Sequence, residues 1–285
     1  MNPVFLHAKV KLHWGFISRQ PGASAAQNAY PLPPPTTVVG AFANPLSRLS
    51  GIPDSLDLAR KGRLVFTLGM ECALRATLAA GAGIEAPLAD GRVGIAVHEE
   101  PSRILGVPYK GGGDIQRAVK QPIYLGAQTL LPVQAVGEAA SPGGMVHLGW
   151  LADLDVLEEC FKPLSMDVLE GVAWSVYRVG SREGLASVLD AGAYMGSELE
   201  IVDNRTFRSI LYQHAECAKP DDITAEIVLQ DYNYRESLFY APAGLGSGQS
   251  ILFPPAEPAR FYLKPGCKGA IPRGKEGYIG LAFRG

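Results

Sequence analysis

The first thirteen residues alternate strictly between two kinds of side chain. Every second position from 4 to 12 is apolar: Val4, Leu6, Ala8, Val10 and Leu12. The positions between them carry aromatic or basic groups: Phe5, His7, Lys9, Lys11 and His13. Successive side chains of a strand point to opposite faces, so the pattern predicts a strand with one core face and one aromatic-basic face. A chain that begins this way must build a sheet and cover its apolar side.

The overall composition is that of a folded protein. Hydrophobic residues make up 47% and charged residues 19% of the 285 residues, which excludes a disordered chain and allows about two domains. The formal net charge of -2 excludes a uniformly basic nucleic-acid-binding surface and still permits a local basic patch. So few charges indicate that part of the surface is buried against partner proteins.

The cysteines, the N-terminus and one uncharged stretch indicate the cellular location of the protein. Cys72, Cys160, Cys217 and Cys267 are scattered and form no C-x-x-C pair, which predicts neither a disulfide framework nor a zinc site and favours a reducing cytoplasm. The N-terminus lacks the apolar run of a secretory signal. Residues 20–47 carry no charge, but their six prolines and four amide side chains exclude a membrane span.

The proline run Pro33 to Pro35 predicts an extended segment that leads into a helix capped by Thr36 or Thr37 and ending near Gly51. A second strand is predicted over 63–76, where the sequence is rich in β-favouring residues. Residues 92–136 are predicted to form a long hairpin excursion. The sequence MVHLGW then predicts a strand, and two helices follow, the second of them capped by Ser165.

The resulting order is strand, helix, strand, strand, helix, strand, which indicates a ferredoxin-like unit within an α+β protein. We expect this unit to occupy residues 1–200 and to include the hairpin of residues 92–136. Six further segments predict strands, five of them after residue 200: LASVLDAGAYM, TFRSILYQHA, AEIVLQDYNYRESLFYA, SILFPP, ARFYLK and GYIGLAF. Residues 201–285 are therefore expected to form a β-rich C-terminal region.

The motifs of several enzyme classes are absent from the sequence. It contains no G-x-S-x-G, S-x-x-K, H-E-x-x-H or G-x-x-x-x-G-K-[ST] pattern. The triplet His214-Ala215-Glu216 matches the H-x-E of zinc deaminases but lacks the P-C-x-x-C that completes such a site. The glycines of GLGSG precede a predicted strand, which favours a hairpin turn over a phosphate loop. We therefore predict no metal, no cofactor and no catalytic residue.

Two segments resemble a known family. YPLPPPTTVVGAFANPL, residues Tyr30 to Leu46, resembles the proline-to-helix segment of the CRISPR-associated protein family five, within the RAMP superfamily. VYRVGSREGLASV, residues Val176 to Val188, resembles the glycine-serine-basic segment of the type I-A, or Apern, branch of that family. Together with the first strand and the long hairpin, these matches extend over most of the first two hundred residues.

The resemblance implies both a fold and a role. The fold is a modified RNA-recognition fold: a ferredoxin-like domain with a projecting thumb hairpin, followed by a smaller β-rich part. The role is that of a non-catalytic, cytoplasmic subunit of a type I surveillance (Cascade) complex in antiviral defence. Such a subunit binds the 5′ tag of the guide RNA (crRNA), caps the backbone, and contacts the backbone subunit and the large subunit. Target DNA is met only indirectly, and no membrane is involved.

RNA binding requires cations for phosphates, free amides at tight turns, and flat groups for stacking. The residues predicted to contact RNA come from the first strand, the start of the first helix, the thumb and the glycine-serine-basic segment: Lys9, Lys11, His13, Thr36, Thr37, Arg103, Lys110, Arg117, Lys120, Arg178, Gly180, Ser181 and Arg182. Each group has a plainer interpretation as a solvated sheet face, a helix cap or a charged loop.

Two other functions stay open at this point. Some relatives cut repeat RNA without a metal, and here His7, His13 or Tyr109 would serve as the base, with Lys9, Lys11 or Lys120 as the cation. No spacing singles out such a set. The other possibility is a metabolic enzyme whose proline-rich segment matches the family by chance.

Overall fold

The computed structural model describes residues 1–13, 16, 18, 30–52, 67–85, 95–98, 138–139, 145–161, 164–180, 184–222, 224–245, 251–253 and 257–285. The helices are α1 (Pro35–Leu49), α2 (Leu68–Ala76), α3 (Leu154–Cys160) and α4 (Met166–Trp174), with a 3-10 turn at Gly196–Glu198. The first six strands are β1 (Pro3–Leu12), β2 (Thr77–Glu85), β3 (Ile95–His98), β4 (Glu138–Ala139), β5 (Met145–Asp153) and β6 (Ala186–Met195). The later strands are β7 (Leu199–Asp203), β8 (Thr206–Ser209), β9 (Gln213–His214), β10 (Ala218–Pro220), β11 (Ala225–Gln230), β12 (Glu236–Ala241), β13 (Gly244–Leu245), β14 (Ile251–Phe253), β15 (Ala259–Leu263), β16 (Cys267–Pro272) and β17 (Leu281–Arg284).

The central sheet has four strands in the order β2-β5-β1-β6, and all its neighbours pair antiparallel. Strand β1 lies inside the sheet, with Leu6 opposite Trp150 of β5 on one side and Ala193 of β6 on the other. The predicted core face of β1 is confirmed, because Val4, Leu6, Ala8, Val10 and Leu12 are all buried in one cluster with residues of the four helices. The protein is thus a mixed α/β fold with antiparallel sheets.

Helix α1 begins two or three residues earlier than the sequence predicts. Pro34 is the N-cap and Pro35 the first helical residue, so the predicted cap at Thr36 or Thr37 is wrong. Proline already has the backbone φ that the first helical turn requires, which lets the proline run start the helix. The predicted end is confirmed: the helix runs to Leu49, and Gly51 follows with a φ of +66°. The Ser165 cap is also confirmed, since its hydroxyl accepts from Val168 N–H.

The strand predicted over residues 63–76 is wrong for residues 68–76, which form helix α2. Thr67 caps the helix by accepting a hydrogen bond from Met70 N–H at 3.3 Å, and Cys72, Ala73 and Ala76 form its buried side. The strand itself follows in β2, whose sequence TLAAGAGIE is poor in β-favouring residues. Residues 63–66 lie outside the described ranges.

The second face of the sheet is not the open aromatic-basic surface that the alternation predicts. Phe5 is fully buried in a cluster with Leu151 of β5 and with C-terminal residues that include Leu211, Leu281 and Phe283. His7 is also fully buried. The C-terminal strands therefore cover the half of this face that lies nearest the start of β1, and the sequence of β1 alone gives no sign of that cover.

Glycine makes this close cover possible. A Cβ on Gly83 of β2 would lie 2.1 Å from the carbonyl oxygen of Ile210, closer than real side chains approach. The neighbouring backbone is bonded across the same contact, where Tyr212 N–H donates to the Ala82 carbonyl at 2.9 Å.

The four cysteines form two disulfides, Cys72–Cys160 and Cys217–Cys267. This corrects the expectation of unpaired thiols. The partners are 88 and 50 residues apart in the sequence, so no local spacing marks them as pairs. The first disulfide joins α2 to the end of α3, and the second joins the turn before β10 to β16.

The C-terminal strands form small antiparallel sheets with the orders β10-β15-β8, β11-β12-β9 and β17-β16-β7. A fourth small sheet, β13-β14-β3-β4, joins this region to the two ends of the predicted hairpin excursion. Strands β3 and β4 pair antiparallel, while residues 99–137 between them lie outside the described residues.

The hydrophobic core does not divide at residue 200. The cluster that packs between the sheet and the helices also contains Tyr212, Ile227, Leu229 and Phe239 from the C-terminal region. Among the helices that the structure describes, none has the length and apolar character that a membrane span requires.

Candidate functional site

A short hairpin directly precedes β6, and its turn lies in the predicted glycine-serine-basic segment. Ala186 N–H donates to the Tyr177 carbonyl at 2.9 Å, and Val179 N–H donates to the Gly184 carbonyl at 2.8 Å. Arg178 pairs with Leu185 between these two bonds. Gly180 has a φ of +75°, which glycine adopts without strain as the chain enters the turn. The tip residues Ser181 and Arg182 lie outside the described residues.

This hairpin and the first half of α1 enclose an open cavity of about 310 Å³, which we call the α1 cleft. Its lining residues are Ser18, Thr37, Gly40, Ala41, Asn44, Tyr177, Arg178 and Gly180. The structure thus brings three of the predicted RNA-binding residues, Thr37, Arg178 and Gly180, into one cavity. Its described lining residues include one cation and no carboxylate.

Two positively charged guanidiniums lie close to the ring of Tyr177, a lining residue of the α1 cleft. The guanidinium of Arg48 lies over its ring at 5.3 Å from the ring centre, and that of Arg178 lies at 5.8 Å. Both distances allow a cation–π interaction. Neither guanidinium makes an ion pair with a carboxylate in the part of the chain that the structure describes. Tyr177 and Arg48 were missed from the sequence, although Tyr177 directly precedes the predicted Arg178.

Thr36 and Thr37 occupy the first turn of α1. Pro34 and Pro35 have no N–H, and Thr37 N–H bonds to the Pro34 carbonyl at 2.8 Å. Among the hydrogen bonds of the described residues, Thr36 has the one N–H of residues 34–37 without a partner, which is fewer than an ordinary helix start offers to an anion. The Thr37 hydroxyl is hydrogen-bonded to Ser18 Oγ at 2.8 Å. Thr36 is half-buried beside the cleft and does not line it.

The predicted residues of β1 fall into two groups. Lys11 and His13 lie at the end of β1 next to the hairpin: Lys11 is opposite Ser187, and His13 N–H donates to the Leu185 carbonyl at 3.0 Å. Both are exposed but outside the α1 cleft. Lys9 instead forms an ion pair with Glu85 at 2.8 Å. The predicted thumb residues Arg103, Lys110, Arg117 and Lys120 lie outside the described residues.

His7 belongs to a buried polar network rather than to a surface. His147 Nε2 is 2.6 Å from Glu85 Oε2, and His7 Nε2 is 3.1 Å from His147 Nδ1. The Tyr278 hydroxyl also donates to Glu85 Oε2, at 3.1 Å. The network links three strands of the sheet to the C-terminal region, and sequence reasoning did not find it.

Because Glu85 is ionised, the nitrogen that carries the proton can be assigned in both His147 and His7. The hydrogen bond from His147 and the ion pair with Lys9 lower the pKa of Glu85 to about 2, so Glu85 is an acceptor. His147 Nε2 must then donate, which makes His147 Nδ1 the acceptor for His7 Nε2–H. His7 Nδ1 is left without a partner among the described residues. Burial lowers the pKa of both imidazoles below the ordinary 6.5.

A second cavity, of about 360 Å³, lies between β2 and the C-terminal strands. Its most buried acidic group, Asp231, accepts hydrogen bonds from Asn233 N–H and Arg235 N–H, both at 2.8 Å, and stabilises the turn between β11 and β12. His214 Nδ1 accepts from Glu216 N–H at 3.1 Å. These bonds give the polar groups structural roles. Among the described residues, no set of three His, Cys, Asp or Glu side chains is arranged to hold a metal ion.

Comparisons with known proteins concern the fold. No protein-family model and no curated protein matches the sequence. A solved structure described as a CRISPR protein from Archaeoglobus fulgidus matches with a TM-score of 0.56 and 15% sequence identity. The match covers 99% of this chain and 99% of that chain. The two proteins therefore share a fold over their whole length, C-terminal strands included.

Proposed function

We propose that the chain is a non-catalytic subunit of a CRISPR surveillance complex and that its α1 cleft binds the unpaired 5′ tag of the guide RNA. The observation that carries this proposal is the α1 cleft itself. An open cavity bordered by a glycine turn and Arg178, with Arg48 close by and neither guanidinium paired with a carboxylate among the described residues, offers what a phosphate chain requires. It does so in a chain whose net charge is -2, so the cationic character is local.

The strand order supports the proposed fold family. An antiparallel sheet in the order β2-β5-β1-β6, with helices after β1 and after β5, is the arrangement expected of a ferredoxin-like, or modified RNA-recognition, domain. The fold that this chain shares with the Archaeoglobus CRISPR protein agrees with that assignment. We propose membership of family five, type I-A branch, with the hairpin predicted for residues 92–136 supplying the thumb.

A binding role is preferred to metal-free RNA cleavage. His7, one of the three bases considered, is fully buried, and burial lowers its pKa. Lys9, one of the cations, is paired with Glu85. His13 is exposed, but its Nε2 lies 2.9 Å from Ser187 Oγ and outside the α1 cleft. Among the described candidates, His13 and Lys11 are the one base and cation that are both exposed, and both lie outside the α1 cleft.

The proposed partners are the backbone subunit and the large subunit, with target DNA met only indirectly. Exposed apolar side chains support contact with other proteins: Leu185 and Leu189, near and on the edge strand β6, are 46% and 48% exposed. The proposed location is the cytoplasm. The two disulfides do not support that location, because disulfides are rare in cytoplasmic proteins other than those of hyperthermophiles.

The test is binding of a single-stranded RNA with the sequence of the repeat-derived 5′ tag, measured by fluorescence anisotropy over a series of salt concentrations. Replacing Arg178→Gln removes one phosphate contact. We expect weaker binding and a log–log salt slope smaller by about 0.7, the value for one contact to a single strand.

The matched control is Arg205→Gln, which removes an exposed arginine between β7 and β8 and should leave affinity and slope unchanged. An unchanged slope in Arg178→Gln would show that the α1 cleft does not hold the RNA. Cleavage of repeat RNA in EDTA, with a 2′,3′-cyclic phosphate on the product, would instead favour the nuclease.

A further inference from the structure

Tyr177 is an aromatic residue held in place at the border of the α1 cleft. Its hydroxyl donates to Asn44 Oδ1 of α1 at 3.3 Å, while 36% of the side chain stays exposed. The bond fixes the ring beside the cavity, and the exposure leaves part of it available.

We propose that Tyr177 stacks on one unpaired base of the bound RNA and that the α1 cleft therefore holds a single nucleotide at this point. This inference rests on the proposed function and adds the residue and the unit that are recognised. Stacking on an aromatic ring is the usual way in which proteins hold unpaired bases.

The neighbouring cations fit a nucleotide better than an isolated base. Arg48 and Arg178 lie within 6 Å of the Tyr177 ring centre, so a base stacked there brings its own phosphate close to two guanidiniums. Because both guanidiniums lie over the Tyr177 ring, one of them must move aside when a base stacks there, and it then remains close enough to bind the phosphate. Both arginines lack carboxylate partners among the described residues, so a phosphate displaces no ion pair.

The volume of the α1 cleft limits the size of the ligand that it can hold. About 310 Å³ is at the lower end of the range for small-ligand sites, enough for one nucleotide and too small for a duplex. Asn44 adds a means of reading the base edge. Its Oδ1 accepts from Tyr177, which leaves its NH2 group to donate to a ring nitrogen or carbonyl oxygen of the base.

The experiment combines two protein variants with an abasic scan of the tag RNA, in which each nucleotide in turn loses its base. With the wild-type protein, one position should cost about ten-fold or more in affinity, and the others much less. Tyr177→Leu should bind the intact RNA about ten-fold more weakly. It should also be insensitive to base removal at that same position, because the stacking partner is already gone.

Tyr177→Phe keeps the ring and should retain most of the affinity, although it loses the bond to Asn44. Tyr262→Leu is the matched control, since Tyr262 is a 46% exposed tyrosine on β15, and it should behave as wild type in every assay. A measurement that needs no variant uses 2-aminopurine at each tag position in turn. Its fluorescence should be quenched on binding at the position that the abasic scan identifies.

The outcomes separate the two proposals. If wild-type protein binds the tag with an Arg178-dependent salt slope while every abasic position costs the same, Tyr177 does not stack and the proposed function stands. If Tyr177→Leu loses affinity but remains sensitive to the same abasic position, its effect is structural and the stacking is likewise refuted. If the wild-type protein does not bind the RNA, both proposals fail.

Discussion

His7, Lys9 and Lys11 share one strand face in the sequence but differ in what they can do. His7 is buried beneath the C-terminal strands, Lys9 is paired with Glu85, and Lys11 remains exposed. The alternation predicted their common face correctly. It could not predict which of them are exposed and unpaired, because that depends on residues such as Glu85 and Tyr278 that are distant in the sequence.

The buried histidines make stability depend on pH. Both imidazoles have a pKa below 6.5 in the folded protein, so below pH 6.5 the unfolded chain binds more protons. The free energy of unfolding should therefore fall as the pH drops from about 6.5, with a slope of up to about 1.4 kcal/mol per pH unit for each histidine. Glu85, lowered from 4.5 to about 2, adds a further loss below pH 4.5. Urea unfolding at pH 8, 6.5 and 5.5 measures this.

The variant for this prediction is His7→Leu, which should flatten the pH dependence between 6.5 and 5.5. His13→Gln is the matched change at an exposed histidine of the same segment and should keep the wild-type profile. Equal profiles for wild type and His7→Leu would contradict the assignment of the pH dependence to the buried network.

At the scale of elements, the local sequence predicted the position of α1 well and that of β2 poorly. The proline run before α1 acts through backbone geometry alone, so it is visible in the sequence. Strand β2 is built largely from alanine and glycine, because small residues let the backbone of residues 210–212 approach within bonding distance. A strand selected for close approach lacks the branched residues by which strands are usually recognised.

The disulfides join elements that the chain separates widely, and their reduction should cost stability. In the chain-entropy model, loops of 88 and 50 residues each correspond to about 4 kcal/mol. We expect dithiothreitol to lower the melting temperature measured by calorimetry. The double variant Cys72→Ala, Cys160→Ala should retain only the response that belongs to Cys217–Cys267. A thiol titration that finds four free cysteines in the unreduced, denatured protein would contradict both pairings.

On the scale of the whole molecule, three segments far apart in sequence form the α1 cleft: Ser18, part of α1 and the hairpin residues 177–180. Thr37 and Arg178 could be singled out because each stands in a marked local context, a proline run and a glycine turn. Asn44 lines the cleft and Arg48 lies over the Tyr177 ring, but neither has such a mark, and both reach the site only because α1 packs beside the hairpin. Sequence reasoning thus reached the parts of the site that carry turn or cap signals and missed those that depend on packing.

The shared core predicts that residues 1–198 do not fold alone. Without the C-terminal strands, Phe5 and Leu151 would be exposed on one face of the sheet. The core on the other face would lack Tyr212 and Phe239. We expect the fragment to lose cooperative urea unfolding and to bind the dye ANS. A fragment that unfolds in one sharp transition, without binding ANS, would show that the sheet and its helices are an independent unit.

The packing of Phe5 against Phe283 also matters while the protein is being made. Strand β6 completes the sheet, but Leu281 and Phe283, which cover its second face, are translated roughly 90 residues later. At about 5 to 20 residues per second, a ribosome needs roughly 5 to 20 s for that distance. Throughout this interval the first part of the chain lacks the residues that cover Phe5 and Leu151 and cannot complete its fold, so it is a substrate for chaperones until the last strands emerge.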